Sequence, residues 1–271
     1  LMFLNRCEDV TVAGLTFCNS PSWNLHPYFS SRLKFLGVTV LAPWDSPNTD
    51  GFDPESCRDV LLSGARFSLG DDCIAVKSGK IYMGSTYRTP CENLRITHCL
   101  MENGHGAVTL GSEMAGGVVN LTVEDCIFRH TDRGLRIKTR RGRGKDAILS
   151  NIIFRNLNMI AKNVKNRILI NIWSSRQIWV DHCTFISYLP SDHTGNGQDE
   201  VGKFIWLNTP YESYLDAKDN GRSPDYITIS YNTFKNRFWT VAYGTQNSET
   251  SRCRTTLMYN WWDECVRRCP Q

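Results

Sequence analysis

The chain has 271 residues, a net charge of +4 and 41% hydrophobic residues, enough to bury one large core or two small ones. So small a positive excess gives no argument for nucleic acid as a partner, and no apolar run approaches the ~18 residues of a membrane-spanning helix. Eleven cysteines are an odd number, which excludes complete disulfide pairing; none forms a Cys-x-x-Cys pair of zinc spacing, and they read as small core residues.

From the first residues onward one pattern recurs: apolar-x-apolar-x-x-apolar-x-apolar. Val10, Val12, Leu15 and Phe17 open it, and Leu33, Phe35, Val38 and Val40 repeat it. It returns from Val60, Leu94, Leu121, Ile152, Ile178, Ile227 and Thr255, about every 23 to 34 residues with one longer gap after Phe185. A repeat of that length is the mark of a solenoid. Each unit holds two alternating runs joined by a bend, and several add a third: Ile74 with Val76, Val108 with Leu110, Leu135 with Ile137, Val241 with Tyr243. Alternation is the strand period, and no helical period is visible. The expected fold is all-β: a right-handed, single-stranded parallel β-helix forming one continuous body over residues 1–271. Its third core position is cysteine at Cys99, Cys126 and Cys183 and asparagine at Asn232 and Asn260, and asparagines stacked at a bend are expected to pair with backbone and with each other. No signal peptide is visible, and both ends read as lacking caps, which would expose strand edges and favour self-association.

The chemistry concentrates in Ser46 to Lys77. In register, Asp50 and Asp72 fall on neighbouring coils ~4.8 Å apart, with Asp71 beside them. Crowded carboxylates cannot all ionise freely, so one pKa should rise. A protonated acid beside ionised bases is what glycosidic hydrolysis uses; a solvated turn or a calcium site is the plainer reading. The next coil brings His105 four residues after Met101, as Asp71 stands four after Phe67. The coil beyond gives Arg136 and Lys138, both outward because Ile137 faces in. Two cations beside three acids point to an anionic sugar polymer, whose carboxylate a guanidinium grips bidentately. The basic run 136–145 has no aromatic interleaving to support nucleic-acid binding.

Asn48 to Gly51 (NTDG), Gly70 to Asp72 (GDD), Gly104 to Gly106 (GHG) and Arg136 to Lys138 (RIK) together resemble the signatures of the polygalacturonase family of glycoside hydrolases. The resemblance implies an inverting hydrolase of α-1,4-galacturonan, secreted or periplasmic, with no cofactor. It makes Asp71 the general acid, Asp50 and Asp72 the groups that activate water, and His105 a support for the acid. Arg136 and Lys138, with Asn48, would bind substrate, and Trp173 stands where the family places a tyrosine. The segment 111–117 resembles exo-acting members.

From about Ser174 the segments 178–183, 225–232 and 267–270 instead resemble the calcium-dependent pectate lyase family. That resemblance makes Glu212 and Asp216 calcium ligands, as hard oxygen donors suit Ca²⁺, and Arg268 the base for β-elimination. No acid stands between Asn166 and Ile170, where a further ligand is expected. The chain is therefore expected to join polygalacturonase-like coils, 1–173, to pectate-lyase-like coils, 174–271. Three functions stay open: galacturonan hydrolysis, Ca²⁺-dependent elimination, or a folded chimera that at most binds pectin.

Overall fold

The computed structural model describes residues 1–138, 143–144, 146–160, 169–173, 176–187, 203–208, 225–243 and 254–267. Every strand pair in it is parallel, and the strands wind into a right-handed β-helix. One face stacks nine strands, from Thr11–Ala13 through Ser31–Leu36, Arg58–Ser63, Cys91–Thr97, Val118–Glu124, Leu149–Arg155, Arg176–Asp181 and Asp225–Ser230 to Thr255–Met258. Its register aligns the apolar repeat: Phe35 pairs with Leu62, Leu62 with Ile96, Ile96 with Val123, Val123 with Phe154, Phe154 with Val180, and Val180 with Ile229. Inward positions therefore stack on their own kind, and the core is a column of side chains running the length of the helix.

The bend after this face falls on one residue per coil, the fifth position of the repeat. That residue is left-handed throughout: Gly14, Gly37, Gly64, then His98, Asp125, Asn156, His182, Tyr231 and Tyr259. One αL residue turns the chain sharply without extra length, so the next side chain in the pattern still faces in. There Cys99 donates its backbone N–H to the Cys126 sulfur, 3.4 Å away. The asparagine ladder also forms: Asn232 Nδ2 donates to Asn260 Oδ1 and to the Val180 carbonyl, and Asn232 Oδ1 accepts from the Cys183 amide. The nine described cysteines are all free thiols, and six of them are buried.

The second face follows the bend, with Phe67, Met101, Phe128, Met159, Phe185 and Phe234 in one column. The third face carries the chemistry. It runs through Leu25–Tyr28, Ile74–Val76, Gly106–Leu110, Arg133–Ile137, Ile170–Trp173 and Lys203–Asn208, with Phe52 bridging Leu25 and Ile74. All three ladders pass from the first family-like segment to the second: Phe154 pairs with Val180, Met159 with Phe185, and Ile170 with Ile205. Among the described residues, one element departs from the all-strand expectation, the helix Ile81–Tyr87. At seven residues it is too short to print a helical period, and it is held by packing, with Gly84 set against Ala115 so closely that a Cβ there would stand 2.5 Å from the alanine methyl.

Candidate active site

Alternation on the third face decides which side chains reach its outer wall. Ile74, Val76, Val108, Leu110, Leu135 and Ile137 are buried in the core, so Ala75, Lys77, Thr109, Arg136 and Lys138 face out. The acids arrive just before these strands. Gly51 donates its N–H to the Asp72 carbonyl, 3.0 Å, which sets Asp50 and Asp72 side by side as expected. Asp50, Asp71 and Asp72 each offer a carboxylate oxygen, and the three oxygens lie within 4.8 Å of one another.

The cations close around them. Lys138 Nζ stands 2.7 Å from Asp72 Oδ2, and Arg136 Nη1 3.8 Å from Asp72 Oδ1. His105 Nδ1 lies 3.2 Å from Asp71 Oδ1. The backbone N–H of Asn48 donates to Asp71 Oδ2 at 3.2 Å, while the Asn48 side chain is exposed. Seven of the residues read from the sequence thus meet at one place, Asn48 through its backbone. Trp173 is reached only through backbone register: Arg136 pairs with Asn171, which places Trp173 in the column of Lys138. Glu212, Asp216 and Arg268 lie outside the described residues.

Two glycines make the cluster possible. Gly104 has φ +89°, and a Cβ on it would stand 2.4 Å from the Asp71 carbonyl oxygen. A Cβ on Gly106 would stand 2.4 Å from Thr109 Oγ1 and 2.9 Å from Asp72 Oδ1. The two glycines flanking His105 therefore let its strand approach the acids.

The charges are not distributed as crowding alone would set them. Burial pushes the Asp50 carboxyl up to about 6; Lys77 opposes the rise, and Asp71 and Asp72 add to it. At Asp71 burial also works upward, but the His105 hydrogen bond and charge outweigh it, helped by the backbone N–H groups of Asp72 and Asn48, and hold it at about 2. His105 is raised in turn, chiefly by its hydrogen bond to Asp71. The pair therefore shares one proton, and the two shifts are one event seen from both ends. Asp72 Oδ1 is buried and accepts no hydrogen bond from the described residues.

Lys77, Asp53, Glu113 and Trp23 also belong to this wall. Lys77 Nζ lies 3.1 Å from Glu113, 3.6 Å from Asp53 and 3.9 Å from Asp50, and 4.4 Å from the Trp23 ring centre. Strand alternation from Ile74 and Val76 already puts Lys77 outward, in the column of Gly111 and Lys138; nothing in the spacing says that it is covered.

A parallel β-helix carrying a carboxylate cluster and cations on one wall defines the class. The chain belongs to the glycosyl hydrolases family 28, which matches residues 1–174, and its residues 132–271 match the pectate lyase family, so the two share 132–174. It is 42% identical over 145 residues to a probable polygalacturonase of Vitis vinifera, covering 53% of this chain and 30% of that protein. It is 34% identical over 173 residues to an endo-polygalacturonase of Pectobacterium carotovorum subsp. carotovorum, 63% of this chain and 40% of that one. The chain thus spans well under half the length of these relatives. Among solved structures, the exopolygalacturonase of Thermotoga maritima superposes with TM-score 0.68 at 23% identity, over 93% of this chain and 53% of that one. The endopolygalacturonase I of Stereum purpureum, complexed with two galacturonates, gives 0.54 at 15% identity, over 94% and 69%. Both share the fold.

Proposed function

We propose that the chain hydrolyses α-1,4-galacturonan at the Asp50–Asp71–Asp72 cluster, with inversion and without a cofactor. The observation that carries this reading is three carboxylate oxygens within 4.8 Å on a wall that also bears Arg136 and Lys138. A water accepted by two carboxylates, each at ~2.8 Å, spans oxygens about that far apart. Asp50 and the free Oδ1 of Asp72 hold that water and take its proton. The Asp71–His105 pair keeps its own proton below the raised pKa of His105, and Asp71 passes it to the leaving oxygen. Arg136 and Lys138 bind the galacturonate carboxylate, Asn48 lies at the exposed edge, and Trp173 extends the same column. A divalent cation would meet charge already supplied from within, since Lys138 is on Asp72 and His105 on Asp71.

The names of the relatives support galacturonan as the substrate, and the same kinship supports a secreted or periplasmic setting; no helix among the described residues is long and apolar enough to cross a membrane. The lyase-like residues, 174–271, we read as further coils of the same β-helix, joined to 1–173. No step is assigned to calcium, because Glu212, Asp216 and Arg268 are not described.

Incubation with polygalacturonate, with and without a chelator, tests the reading. New reducing ends, no unsaturated product and indifference to the chelator are expected. Unsaturated product abolished by the chelator would transfer the activity to the lyase-like coils, and no product with retained polymer binding would leave a binding module.

A further inference from the structure

Lys77 is 3% exposed, and a lysine ammonium leaves water at a large cost unless its surroundings repay it. Here three carboxyl groups and an aromatic face surround it. Glu113 Oε2 is at 3.1 Å, Asp53 Oδ1 at 3.6 Å and Asp50 Oδ2 at 3.9 Å. The Trp23 ring covers it at 4.4 Å from the centroid, within cation–π range. Asp53 is fully buried; burial and the charge of Asp50 push its carboxyl well above the ordinary range, and the Lys77 ammonium is the charge that opposes the rise. The residues come from separate parts of the chain: Trp23 before the third-face strand Leu25–Tyr28, Asp50 and Asp53 around the Phe52 bridge, Lys77 one residue past Ile74–Val76, and Glu113 beyond Gly106–Leu110. Such convergence fixes one ammonium behind the acid cluster, on the side away from Arg136 and Lys138 in chain order.

We propose that Lys77 is a positioning residue for hydrolysis: clamped by Asp53, Glu113 and Trp23, it supplies the fixed positive charge against which Asp50 stands as a carboxylate and holds the attacking water. The inference rests on the hydrolytic reading of the cluster. Asp50 is faced by Lys77 as its one attractive side chain and by Asp71 and Asp72 as repulsive ones, while its own charge, with burial, pushes Asp53 well above the usual carboxylate range. Lys77 in turn faces Asp50, Asp53 and Glu113. Beyond these, His105 is committed to Asp71, and Lys138 and Arg136 to Asp72. Removing the Lys77 charge leaves Asp50 among three carboxyls, and its affinity for a proton rises. The acid limb of the pH–rate profile, which reports the base losing its proton, then moves to higher pH.

The test combines two readouts in the whole chain. The first is the pH dependence of kcat/KM on polygalacturonate. The second is the titration of the Asp50 carboxyl by ¹³C NMR of aspartate-labelled protein, which needs no turnover. In Lys77→Met the Asp50 midpoint should rise by about one to three units, the range for losing an opposite charge at this distance, with the acid limb shifting equally. Lys77→Arg should restore both. Should Lys77→Met fail to fold, Glu113→Gln serves: it removes a negative charge and leaves Lys77 in place, so the midpoint should fall. Unchanged midpoints in a folded Lys77→Met or in Glu113→Gln overturn the proposal. A wild-type chain without turnover whose Asp50 midpoint still moves with Lys77 would count against hydrolysis alone and leave the electrostatic link standing.

Discussion

Asp71→Asn is expected to lower kcat on polygalacturonate by about 10²- to 10⁴-fold, the range for one positioned acid–base group. The replacement has the same shape and keeps one oxygen, enough to accept the backbone N–H of Asp72, now 2.8 Å from Oδ1, or that of Asn48, 3.2 Å from Oδ2, but not both. It cannot hold or pass a proton, and it deprives His105 of its ionic partner, so the His105 pKa should return toward an ordinary imidazole. KM should change little, because Arg136 and Lys138 bind the sugar carboxylate and remain in place. Circular dichroism and thermal unfolding near wild type would separate loss of chemistry from loss of fold. Activity within a few-fold of wild type would remove Asp71 from the acid role.

Gly106→Ala should be nearly as damaging to kcat, by a different route. The strand Gly106–Leu110 is pinned: Cys73 donates to the Gly106 carbonyl at 2.8 Å, and Val108 pairs with both Ile74 and Leu135. The added methyl would meet Thr109 Oγ1 at 2.4 Å and Asp72 Oδ1 at 2.9 Å, and both side chains are buried. Overpacking of this kind costs about 1–3 kcal/mol, and a displacement of Asp72 by roughly 1 Å costs on the order of 10²-fold in rate. Gly37→Ala is the matched control. Gly37 has positive φ, +57°, and nothing lies within 4 Å of its added Cβ, so the backbone conformation alone should lower stability by about 1–2 kcal/mol, with kcat unchanged. Equal losses of activity in the two variants would show that a general loss of stability, not crowding at Asp72, is responsible.

Much of the architecture is legible because a parallel β-helix repeats its core residues in register. Val60, Leu94, Leu121, Ile152 and Ile178 stand at one repeat position in the sequence and on one ladder in space. The same regularity places Asp50 against Asp72, and Arg136 and Lys138 on the outer wall. Four things are not readable, each for a physical reason. The helix Ile81–Tyr87 is decided by Gly84 packing on Ala115, a tertiary contact. The charge order within the cluster is hidden too: burial raises Asp50, and one 3.2 Å hydrogen bond to His105 that spacing does not reveal lowers Asp71. Lys77 shows its outward direction through alternation, but its burial comes from Trp23 and Glu113, which reach it from distant segments. The exposed ladder from Asp59 through Asn93 and Asn120 to Asn151 was equally hidden, since its members sit on the polar side of the apolar pattern.

Time-resolved proton NMR of polygalacturonate during cleavage tests the three-aspartate hydrolysis most directly. Attack by a water held between Asp50 and Asp72, opposite a bond protonated by Asp71, requires the β-anomer of the new reducing end to appear first, with the α-anomer growing in only by mutarotation. An α-anomer formed first, or the vinyl proton of an unsaturated uronate, would contradict it.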